Sequence, residues 1–155
     1  MRHAITAALA AALIGSTAPA DERTGYYYPP ITSDEIFHRE LVGGPPPRRD
    51  VRVRFITQVT KAQLAAPDNP RYVIFAKGDD ADHMVIVALD DDVFKTVYRA
   101  RAVLAQLTSN LRGTEFFIDS GLDTEATWFD LAKMLGFADV VVSDGDTWSH
   151  RVILE

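Results

Sequence analysis

Three histidines lie beyond the first twenty residues: His38, His83 and His150. An unperturbed imidazole titrates between about pH 5 and 8, so each is a candidate general base or ligand. They fall in separate segments, with neither His-x-His nor i, i+4 spacing, and no zinc site is indicated. His150 attracts most attention. On an alternating strand it shares a face with Trp148, Val152 and Leu154, and it closely follows Asp144 and Asp146. Asp144 and His150 are therefore the catalytic candidates, as general base or ligand, with Ser143 or Ser149 nearby as a hydroxyl. Ser149 should project across the strand from His150, which weakens a triad. The competing reading is a neutral core imidazole held by one hydrogen bond.

Ligand-binding candidates are Arg101, Tyr27 and Trp148. Arg101 lies on the edge of a helix's apolar sector, one turn from Val97 and Tyr98, where a guanidinium could hold an anion in bidentate fashion or instead pair with a nearby carboxylate. Tyr26, Tyr27 and Tyr28 could form an aromatic recognition edge or simply dock the N-terminal arm. The acidic groups Asp79-Asp80-Ala81-Asp82, Asp90-Asp91-Asp92 and Asp144-Gly145-Asp146 offer oxygen ligands of the kind calcium takes. None has the spacing of a helix-loop-helix calcium site, and all stand where aspartate serves turns and helix starts. No metal and no cofactor is expected.

The enzyme signatures Gly-x-Ser-x-Gly, Gly-x-Gly-x-x-Gly, Ser-x-x-Lys, His-Glu-x-x-His and the phosphate-binding loop are all missing. Any enzyme would need a scattered constellation, for example a small hydrolase. A binding or accessory module, acting on an unidentified small molecule or a periplasmic protein, is the leading expectation.

Arg2, the apolar run from Ala4 to Ile14 and Ala18-Pro19-Ala20 read as the parts of a secretory signal peptide cleaved before Asp21. The run is too short to span a bilayer, and no Cys stands at the cleavage point to carry lipid. A protein of the periplasm or medium, without a membrane anchor, is expected. With 0 Cys it has no disulfide. Removing Arg2 from 16 basic residues leaves 15 against 22 acidic ones, a charge of −7. Such a surface repels phosphate backbones, so nucleic acid is not an expected partner.

The elements that must position these residues follow from periodicity. Residues 21–50 read as an arm, a short helix over Asp34 to Leu41 capped by Ser33 or Thr32, and a stiff Pro45-Pro46-Pro47 connector. Val51, Val53, Phe55, Thr57 and Val59 alternate as on a strand. Tyr72 to Ala76 and Met84 to Leu89 read as paired inner strands. Phe94 to Arg112 is a helix with Val97, Ala100, Val103, Leu104, Leu107 and Leu111 in one sector, capped by Asp91 or Asp92. Thr114 to Ile118 is a possible strand, and a last helix opens at Asp123 or Thr124 and stops at Gly136. A hairpin turning at Asp144-Gly145 joins Ala138 to Ser143 with Thr147 to Leu154. The fold class expected is α+β: one domain, with residues 51–155 as its core, and a mainly antiparallel sheet of about five strands covered by two or three helices.

The stretches Gly25-Tyr26-Tyr27-Tyr28-Pro29, Tyr98 to Thr108 and Val142-Ser143-Asp144-Gly145 resemble a group of small exported bacterial proteins, and the resemblance runs through the whole mature chain. Some members of that group carry the designation molybdopterin-guanine dinucleotide biosynthesis protein A, which implies a nucleotide- or molybdenum-cofactor-related role. The nucleotidyltransferase family of that designation is cytoplasmic and opens with a glycine-rich Leu-x-Gly-Gly-x-Ser-x-Arg-Met-Gly segment. This chain has no such segment, so no functional residue carries over.

Overall fold

Val and Ile crowd three short segments, Tyr72–Lys77 (β2), His83–Ala88 (β3) and Asp139–Ser143 (β4), and the computed structural model places these side by side in one sheet, with β2 at its edge. It describes residues 29–40, 47–90 and 93–155. Ser33–Phe37 (β1) and Ser149–Leu154 (β5) complete a five-stranded sheet in the order β1-β5-β4-β3-β2. The helices are Arg49–Ala65 (α1), Val97–Arg112 (α2), Glu115–Asp119 (α3) and Trp128–Met134 (α4). The fold is α+β and forms a single domain.

The sheet is mixed, not mainly antiparallel. β2 with β3 and β4 with β5 are antiparallel, whereas β3 with β4 and β1 with β5 are parallel. The reason is the connection between β3 and β4. It contains α2, α3 and α4, long enough for the crossover that a parallel pair requires.

Three further expectations are overturned. The segment around Asp34 is a strand, not a helix, because β5 offers it a backbone ladder: Thr32 N–H donates to Ser149 O at 2.8 Å and Glu155 N–H to Phe37 O at 3.0 Å. The alternating Val51 to Val59 segment is helical. Its buried or half-buried residues Arg52, Phe55, Ile56, Val59 and Gln63 fall at helical spacing, and Val53 and Thr57 point to solvent. Thr114 to Ile118 likewise belongs mostly to helix α3 rather than to a strand.

The pairing of β2 with β3 is as expected, although β2 is an edge strand and not an inner one, and the body of the second helix is as expected too. Its cap, however, is Thr96, whose hydroxyl accepts from Arg99 N–H at 3.3 Å. The last helix is capped by Thr127, which exchanges side-chain and backbone bonds with Asp130. Gly136 follows it at φ +75°, a conformation that needs glycine. The final hairpin has a wider loop than a two-residue turn, since Ser143 pairs with Ser149 and residues 144–148 lie between.

One face of the sheet carries α1, α2 and α4. Ile74, Met84, Ile86, Val140 and Val142 meet Phe55 and Val59 of α1, Ala100 and Leu107 of α2, and Trp128 and Ala132 of α4 in one core. The other face holds a smaller cluster in which Val85 and Val141 pack with Ile31, Phe75 and Val87.

Buried Arg52 ties the helical layer to the loops. Its guanidinium donates to Asp80 O at 2.8 and 3.2 Å, to Pro47 O at 2.7 Å and to Gly136 O at 3.2 Å. Three backbone carbonyls from three chain segments are satisfied by one fork-shaped donor.

Candidate functional site

Parallel pairing sets Ser33 opposite His150 and Glu35 opposite Val152, so Ser33, Glu35 and His150 share the helix-covered face of the sheet. Ser33 Oγ lies 2.8 Å from His150 Nδ1. Glu35 Oε1 stands 3.4 Å from His150 Nε2, and Glu35 Oε2 stands 3.6 Å from Arg101 Nη2. Glu35 thus joins two residues that the sequence singled out separately. With the ring proton on Nε2, Nδ1 accepts from the Ser33 hydroxyl and the Nε2–H faces the carboxylate. The imidazole is nearly buried, with 13 % of its side chain exposed.

Beside this chain of groups runs a groove of about 270 Å³ lined by Glu35, Arg101, Leu104, Ala105, Thr108, Thr127, Trp128 and Phe129. Leu104, Ala105, Trp128 and Phe129 supply apolar surface, and Glu35, Arg101, Thr108 and Thr127 supply polar groups. His150 and Ser33 are not among the lining residues. They stand behind Glu35, His150 next to its carboxylate and Ser33 on the far side of the imidazole.

The walls are fixed from several sides. Thr108 Oγ1 donates to Leu104 O at 2.9 Å within its helix and accepts from Trp128 N–H at 3.1 Å, which fastens the start of α4 to α2. Arg112 donates to Ala126 O at 2.7 Å just before that helix. Asp130, almost fully buried, closes the capping box and meets Arg39 at 3.1 Å. Phe37 of β1 packs on Phe129 at 5.3 Å, and Phe55 of α1 on Trp128 at 5.9 Å. Trp128 Nε1 is buried without a hydrogen-bond partner among the described residues. A buried N–H left unpaired is costly.

The other residues singled out from sequence lie elsewhere or in structural roles. Asp144 does not partner His150. Burial pushes its carboxyl up, but bonds from the Thr147 hydroxyl and from the N–H groups of Trp148, Asp146 and Thr147 outweigh that and hold it below its ordinary value. Its carboxylate organises its own loop. Trp148 donates from Nε1 to Phe94 O at 2.9 Å and anchors that loop to the segment before α2. Ser149, on the opposite face, donates to Pro29 O and Pro30 O at 3.0 and 2.9 Å. Tyr27 lies outside the described residues.

Ser33 and Glu35 do not stand out as site residues in the sequence because their segment reads as a helix start, with Ser33 as its cap. Read as a strand, Ser33 and Glu35 at i and i+2 would have shared one face. Among the described residues no group of three or more His, Asp and Glu side chains is arranged to hold a metal ion. None of the described helices is long and apolar enough to cross a membrane. No family model, curated protein or solved structure matches the chain.

Proposed function

We propose that this chain is an exported small-ligand binding or accessory protein, and that its groove takes an amphipathic molecule with an apolar body and an amide or zwitterionic head. The observation that carries this reading is the pairing of Glu35 with Arg101 at 3.6 Å beside an apolar surface of Leu104, Trp128 and Phe129. A carboxylate accepts and a guanidinium donates, so a head group with both a donor and an acceptor complements them. The pair itself is half-exposed and worth only about 0–1 kcal/mol, so a ligand can separate it at little cost. By proportion with a ~150 Å³ cavity that takes benzene, the groove suits about eleven or twelve heavy atoms. That is the size of a phenylalanine.

The test is titration of the purified chain with L-phenylalanine, phenylalaninamide and 3-phenylpropionate, followed by calorimetry and by the indole N–H signals in NMR. Trp128 N–H should shift on binding, while the N–H of Trp148, already bonded to Phe94 O, serves as the internal control. The amide and the amino acid should bind more tightly than the acid, which lacks a donor. Equal binding of all three, or none, removes this reading; GTP with magnesium is the control that the nucleotide-related designation supplies.

A hydrolase reading has one observation in its favour, the Ser33 hydroxyl 2.8 Å from an imidazole that also faces a carboxylate. It requires turnover of p-nitrophenyl acetate that disappears in Ser33→Ala. Turnover unchanged by that substitution removes it.

A further inference from the structure

On the sheet face opposite the groove, a cavity of about 110 Å³ is lined by Ile31, Lys77, Gly78, His83, Asp139, Val141 and Arg151. The strand registers explain how these meet. Lys77, His83 and Asp139 form one cross-strand row, and Val141 and Arg151 form part of the next. Asp139 Oδ2 lies 2.9 Å from His83 Nδ1, which fixes the carboxylate. Only 10 % of the Asp139 side chain is exposed, and its other oxygen, Oδ1, is buried without a hydrogen-bond partner among the described residues. Arg151 is held by Asp34 through Nη2 at 3.1 Å, yet its Nε–H is likewise buried and unpartnered. Two residues of the cavity wall therefore bring an anionic acceptor and a cationic donor together, each pinned by a neighbour and each with one hydrogen bond unmade. Val141 and Ile31 supply apolar surface between them.

We propose that this cavity is a second binding site, for a small carboxylate bearing a hydroxyl or ammonium group on the adjacent carbon. The ligand carboxylate accepts from Arg151 Nε–H, and its α-substituent donates to Asp139 Oδ1. Asp139 and Arg151 stand diagonally on adjacent antiparallel strands, where backbone positions are about 7–8 Å apart, a span that a two- or three-carbon molecule with a hydrogen bond at each end covers. Size points the same way. Scaled from a ~150 Å³ cavity that holds the six carbons of benzene, the cavity takes about four or five heavy atoms, as in glycolate or glycine. The Gly78 backbone is suited to the wall, since its φ is +91° and a Cβ there would stand 2.8 Å from Asp82 Oδ1 and 3.0 Å from His83 Cδ2.

The experiment is NMR titration of the purified chain with glycolate, glycine and acetate, reading the imidazole signals of His83 and His150. Glycolate or glycine should shift His83 with saturation and leave His150, on the other face, in place. The two ligands separate a hydroxyl from an ammonium donor. Asp139→Asn and Arg151→Gln, checked for native circular dichroism, should each weaken binding by about tenfold or more. If either variant does not fold, the wild-type comparison decides, because acetate lacks the α-donor and should bind about tenfold more weakly than the better of the other two. Acetate binding as tightly as both, no saturation up to roughly 50 mM, or affinity unchanged in both folded variants overturns the proposal.

Discussion

Ser33 Oγ and His150 Nδ1 lie 2.8 Å apart because parallel pairing of the first and last strands sets these two residues opposite each other. The contact aims the other ring nitrogen at Glu35, the carboxylate of the groove. His150→Leu should keep the fold while releasing Glu35 from one of its two neighbours. Affinity for phenylalaninamide is expected to fall by about tenfold in calorimetry, with Ser33→Ala giving a smaller loss.

Ala105→Trp should fill the groove from an exposed helix position that contributes nothing to the core. Thermal stability should stay within about 0.5 kcal/mol of wild type, while phenylalaninamide binding disappears. Binding that survives would place the ligand elsewhere.

Arg52 gives the sharpest stability prediction. Arg52→Met strands the carbonyls of Asp80, Pro47 and Gly136, and urea unfolding should show a loss of about 2–4 kcal/mol. Arg52→Lys should recover only part of it, since an ammonium cannot reproduce the planar fork. At the same junction, Gly136→Ala places a Cβ 3.0 Å from Arg52 Nη1 and 3.2 Å from Pro47 Cδ at φ +75°, and should cost about 1–3 kcal/mol.

Asp144 links stability to pH. Its folded carboxyl lies below the ordinary value of 3.8, so the stabilisation is present above that value and is lost as pH falls through the folded one. Asp144→Asn keeps an acceptor for the loop but removes the charge. Wild type should be the more stable protein at neutral pH, and the two urea midpoints should converge in acid below pH 3.8. A constant difference across that window would remove the linkage.

Export is tested by intact mass. From its native host the protein should begin at Asp21 or a neighbouring residue, as expected from Ala18-Pro19-Ala20. Retention of Met1 to Ala20 would overturn the export proposal.

Where residues near in sequence decide conformation, the chain could be read directly. The paired apolar runs that became β2 and β3, the stripe of Ala100, Leu104 and Leu107 on α2, and the stop at Gly136 are all local periodicity or local backbone sterics. Arg101 and His150 were visible by their chemistry, as was the chance that Arg101 pairs with a carboxylate. Tertiary structure decided the rest. Val51 to Val59 carries both an alternating pattern and a helical one through Arg52, Phe55, Ile56 and Val59; packing against the sheet selects the second, outweighing the strand preference of β-branched residues. The five residues Ser33–Phe37 are too short to announce a period and become a strand because β5 has an edge to pair. That pairing brings Glu35 to Arg101 and His150, and the pairing of β3 with β4 brings Asp139 to His83, across separations of 66, 115 and 56 residues. No local pattern encodes such distances. They are set by which strand edges meet, and that depends on the free energy of the whole packed sheet.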